Sequence, residues 1–83
     1  MTLALYRAVF GEDIVPDTKA LSDLAESVAV LPQNIFITVV LYYQHQKTIE
    51  DIVKETGHPS QLVERWLKSG VKLLQAFYGV GSE

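Results

Sequence analysis

At 83 residues the chain has room for one small core, because a chain of this size buries only about 60–65% of the surface it exposes when unfolded. Hydrophobic residues make up 48% and charged residues 20%, with few Pro and Gly, which excludes a disordered chain and predicts a globular one. The absence of cysteine excludes a disulfide framework, a thiolate nucleophile and a cysteine-ligated zinc site, and a net charge of −3 opposes general phosphate binding.

That charge is unevenly spread. Residues 1–46 carry Arg7 and Lys19 against five carboxylates, whereas residues 47–83 carry five cations against five carboxylates. The second half is therefore the only part that phosphate could approach without net repulsion. No apolar run approaches the roughly 18 residues that span a bilayer, and Met1–Phe10 lacks a basic flank, a sustained apolar stretch and a small-residue cleavage site. No membrane partner and a cytoplasmic location are expected.

In chain order, Thr2–Phe10 is predicted to be a short helix with Leu3, Tyr6 and Phe10 on one stripe, stopped by Gly11. A connector runs from Gly11 to Pro16. Asp17 has the position of an N-cap for a second helix reaching Val30, with Leu21, Leu24, Ala25 and Val28 inward and Asp23 and Glu26 outward. Pro32 opens a third helix, predicted to run to Gln46. Its β-branched body, Ile35 to Tyr43, has strand propensity, but its length and the lack of a second strand candidate favour a central helix. His45 falls near its C-terminus, where a cation is welcome.

Thr48-Ile49-Glu50-Asp51 has the form of a capping box and begins a fourth helix, with Ile49, Ile52 and Val53 inward and Gly57 as a left-handed stop. His58, as a polar N-cap before Pro59, is expected to start a fifth helix ending at Tyr78 and closed by Gly79, with Val80–Glu83 frayed. At about 100° per residue, Leu62, Val63, Trp66, Leu67, Gly70, Leu73, Leu74 and Phe77 share one arc, and Ser60, Gln61, Glu64, Arg65, Lys68, Lys72 and Gln75 share the other. The apolar arc is wide enough for two helices, and Gly70 within it permits one of them a close approach.

Two helices joined by a tight turn at Gly57 and His58 have the dimensions of a helix-turn-helix. The stretch Leu31-Pro32, then Val39-Val40-Leu41-Tyr42-Tyr43, Thr48-Ile49-Glu50-Asp51-Ile52-Val53, Gly57, Val63 and Leu67 resembles the fourth, promoter-binding region of bacterial sigma factors, over about residues 31–75. The chain departs from that family's pattern at Glu64, where a basic residue is usual, and at Trp66 and Lys68, near the usual arginine.

The resemblance implies a small stand-alone transcription regulator of bacterial or phage type that binds DNA or the transcription machinery. The fold expected is an all-α, compact bundle of about five helices in one domain, residues 1–83, with an N-terminal helical part over 1–30 and the helix-turn-helix part over 31–79. Ser60, Gln61, Glu64, Arg65, Lys68 and Lys72 are the candidate nucleic-acid-binding residues, with Gln61 and Arg65 suited to base edges and Lys68 and Lys72 to phosphates. The ordinary alternative is a solvated face with Glu64 paired to Lys68 one turn on. A second functional reading is a protein interaction module, its partner RNA polymerase, a sigma factor, another protein or a second copy. No enzyme activity, metal or cofactor is expected, because the two histidines stand alone and Asp51 and Glu55 have no accompanying nucleophile.

Overall fold

The computed structural model describes residues 3–80, and their regular structure is entirely helical. The elements are α1 (Leu3–Phe10), α2 (Thr18–Ala29), α3 (Gln33–Val39) continued by a π-helical turn (Val40–Gln44), α4 (Ile49–Thr56) and α5 (Ser60–Tyr78). The all-α bundle of five helices expected from the sequence is what forms. Thr2, the expected first helical residue, and residues 81–83 of the expected frayed end lie outside the described residues.

Local chemistry sets most of the boundaries. The Asp17 carboxylate accepts the Ala20 N–H at 2.8 Å and caps α2. Gly79 takes φ +68°, its N–H donating to the Ala76 carbonyl and the Val80 N–H to the Gln75 carbonyl at 2.8 Å. This is the paired bonding of a Schellman cap, so Val80 is tied down rather than frayed as its position near the end suggested.

The core has two parts, both served by α5. The larger joins Leu5, Tyr6 and Val9 of α1 to Leu24 and Val28 of α2, and these to Leu31, Val39 and Leu74. The smaller is Ile52 of α4 against Val63 and Leu67 of α5, flanked by Leu41 and Tyr43. The most extensive helix pairing is α3 with α5, and Gly70 is where they approach: a Cβ there would lie 2.6 Å from Val39 Cγ2 and 3.1 Å from Ile35 Cγ2.

Three expectations need correction. The inward face of α1 is Leu5, Tyr6 and Val9, with Leu3 exposed and Phe10 half-buried, so it is turned by about one residue's 100° from the predicted stripe. The short helix is apolar at most positions, and its docking on α5 chooses among them. Phe77, placed in the inward arc of α5, is 53% exposed, and it is Tyr78 that meets Phe10 of α1 and the Ser27 hydroxyl of α2.

The third helix is also not a single α-helix to Gln46. The Thr38 hydroxyl donates to the Asn34 carbonyl at 2.8 Å, a back-bond that bends helices, and beyond it the His45 N–H reaches the Val40 carbonyl at 3.1 Å in an i→i+5 pattern. Gln46 then enters the left-handed region at φ +56°, and the Lys47 N–H closes onto the Leu41 carbonyl at 3.0 Å. The wide turn leaves Leu41 and Tyr43 against the smaller core cluster and Tyr42 at the surface.

Leu67 is 8% exposed and packs in the smaller cluster with Ile52 and Val63. Leu67→Ala is expected to cost about 2–5 kcal/mol in chemical denaturation, and a loss under about 1 kcal/mol would mean that the inward face of α5 has been misidentified.

Candidate nucleic-acid interface

The surface of interest is built by the α4–turn–α5 unit. Thr48 starts α4 with a reciprocal pair of bonds: the Asp51 N–H donates to Thr48 Oγ1 at 3.1 Å, and the Thr48 N–H donates to Asp51 Oδ2 at 3.2 Å. The Thr48 N–H first, and the Thr48 side chain second, hold the Asp51 carboxyl below the usual aspartate range, helped by Lys47 and Lys54. The helix ends at Gly57, φ +77°, whose N–H donates to the Val53 carbonyl at 2.8 Å.

The turn differs from its expected form at His58, which does not cap α5. Pro59 is the N-cap and supplies its carbonyl to the Leu62 and Val63 N–H groups, without any side-chain cap. The His58 N–H instead donates to Thr56 Oγ1 at 3.3 Å, and its ring meets the edge of Trp66 with centroids 4.8 Å apart. Proline takes the cap position because its fixed φ suits a helix entrance, which frees the imidazole to pack.

With Ile52, Val63 and Leu67 holding α4 to α5, the opposite side of α5 faces outward. Ser60, Gln61, Glu64, Arg65, Lys68 and Lys72 are all exposed, as the helical spacing predicts. They do not act as one patch. Glu64, Lys68 and Lys72, spaced by one turn, rim a groove of about 580 Å³ whose lining includes Tyr42, Tyr43, Leu67 and Val71, whereas Ser60, Gln61 and Arg65 lie outside it. A second, larger groove of about 850 Å³ continues from the same two tyrosines toward Ala4, Lys47 and Ile49. Burial raises the Tyr43 hydroxyl above the ordinary tyrosine value, with Tyr42 beside it adding to the effect.

The expected Glu64–Lys68 pair does not close. Among the described residues the ion pairs are Lys19–Asp23 and Lys47–Glu55, each at 3.5 Å. Solvation at this exposed face competes with so weak an attraction. Arg65, Lys68 and Lys72 thus stand without a carboxylate partner, and so does Glu64. No local spacing in the sequence points to the grooves, although Tyr42 and Tyr43, which line both of them, belong to the sequence pattern given above. Among the described residues no cluster of three or more His, Asp or Glu side chains is placed to hold a metal ion, and no helix is long and apolar enough to cross a membrane.

Comparison of the chain with protein-family models, with curated proteins and with solved structures gives no match.

The Asp51 cap carries a pH signature. A carboxyl whose pKa is lowered by folding contributes stability that is fully present above the ordinary aspartate value, near 4, and is lost as pH falls through the lowered one. Urea midpoints of the wild type and Asp51→Asn are therefore expected to differ at neutral pH, the wild type being more stable, and to converge in acid. A gap of constant size down to about pH 2 would show that the ionised carboxylate does not stabilise the fold.

Proposed function

We propose that the chain is a small transcription regulator in which α4, the Gly57–Pro59 turn and α5 act as a helix-turn-helix of the sigma-region-four kind, α5 being the recognition helix. The observation that carries this reading is the exposed side of α5. One helix presents Gln61 and Arg65 near its start and Lys68 and Lys72 one and two turns on, the three cations forming no ion pair among the described residues. Gln61 and Arg65 have the donor geometry for adenine and guanine edges, and Lys68 and Lys72 meet phosphates. Ser60 supports the backbone contacts at the helix start. Glu64 accepts from a cytosine amino group where the site provides one. The work is recognition in the cytoplasm, without catalysis or a cofactor.

A protein partner within the transcription machinery, RNA polymerase or a sigma factor, is the second reading. The observation in its favour is the groove beside α5, where Glu64 joins the two lysines around an aromatic and aliphatic floor. Mixed charge around apolar surface suits a protein better than a phosphate backbone.

Salt dependence separates the two. With three cations available, the slope of log affinity against log salt on duplex DNA is expected at about −2 to −3, reduced by about one on Lys68→Ala or Lys72→Ala. Gln61→Ala or Arg65→Ala should instead relax sequence preference. Absence of binding to a random duplex pool at low salt overturns the DNA reading and leaves the protein one in place.

A further inference from the structure

We propose that the chain pairs with a second copy of itself, the α1–α2 connector of each copy, residues 11–17, seating in the groove between α1, the π-helical turn and α5 of the other. Connector and groove complement one another in charge and in apolar character.

The connector carries Glu12, Asp13 and Asp17 and no cation, so it is the most uniformly acidic stretch of a chain whose first half holds its net negative charge. Between these carboxylates stand Ile14, 43% exposed, and Val15, 87% exposed, the barest of the large hydrophobic side chains described. The segment from Ile14 to Asp17 has no regular structure, and Pro16 holds the residue before it extended. Two aliphatic side chains are thus presented from an extended segment flanked by negative charge.

The groove offers the opposite. Its lining includes Tyr43, Leu67 and Val71 with Lys68 and Lys72, which form no ion pair among the described residues, and its volume of about 580 Å³ lies within the range of ligand-binding clefts. Glu64 is the single carboxylate in its lining, so two lysines outweigh it when three carboxylates approach.

The placement also fits a closed pair. Ala8 lines the groove, and the connector begins at Gly11, three residues further along the same chain, so donor and acceptor segments adjoin in the chain. About a two-fold axis each copy donates its connector and accepts the other's, so the contact is made twice. The pairing uses Lys68 and Lys72, which the proposed DNA reading gives to phosphates, so a connector seated there competes with DNA, and the pairing is measured without DNA.

Sedimentation equilibrium of the full chain without DNA tests it. The wild type is expected to be a reversible dimer that dissociates as salt rises. E12K/D13K and K68E/K72E alter only exposed side chains and spare the Asp17 cap, so each is expected to keep its helical circular dichroism and to run as a monomer. An equimolar mixture of the two variants should recover dimer, because both interfaces of the mixed pair then bring opposite charges together. A wild type that stays monomeric up to about 1 mM overturns the proposal, as does a dimer that survives in both variants or a mixture that fails to pair.

Discussion

The close approach of α3 to α5 at Gly70 is the contact on which the rest of this fold depends. A side chain at that position would drive into Val39 and Ile35, so a residue without one is what allows the two helices to meet. Glycine within a helix costs about 1 kcal/mol relative to alanine, and the burial it permits at Val39 and Leu74, both fully enclosed, offsets that cost. Once α3 is seated, α5 becomes a spine. Its first half clamps α4 through Val63 and Leu67, and its second half carries α1 and α2 through Leu74, through the Gln75 side chain donating to the Val9 carbonyl at 3.2 Å, and through the Tyr78–Ser27 hydrogen bond at 2.8 Å.

What α5 has left to offer a partner follows from this arrangement. Packing consumes one side of the helix along its length, and the polar residues of the other side are left in water, where neither Glu64 nor the three cations form an ion pair among the described residues. The π-helical turn shapes the margin of that face. By ending α3 in a wide turn, it sets Tyr42 and Tyr43 beside Lys68 and Lys72, their rings edge to face with centroids 4.9 Å apart. Wide turns of this kind concentrate at functional sites, and here one makes the groove that adjoins the proposed recognition helix.

The features legible in the sequence are those decided within a few residues. Asp17, Thr48 with Asp51, Gly57 and Gly79 define helix ends by bonds to their own neighbours, so composition and spacing were sufficient. The exposure of the six candidate residues followed from helical periodicity alone. Gly70 stood out by lying in an apolar arc, but Val39 and Ile35 as its partners did not, because they come from another helix. The same limit hid the π-helical turn, the face that α1 presents and the meeting of His58 with Trp66. Each depends on how helices dock. The grouping of Glu64, Lys68 and Lys72 with Tyr42 and Tyr43 joins positions more than twenty residues apart, which no local pattern encodes.

The contact at Gly70 admits a test in which the sign of the effect decides. Helix propensity alone makes Gly70→Ala stabilising by up to about 1 kcal/mol, whereas overpacking in a filled core costs about 1–3 kcal/mol. A double-mutant cycle of Gly70→Ala with Val39→Ala, followed by urea denaturation, separates the two. Net destabilisation by Gly70→Ala, lessened when Val39 is shortened, is the expected result. Stabilisation by Gly70→Ala with no coupling to Val39 would contradict the close approach and the arrangement of helices built on it.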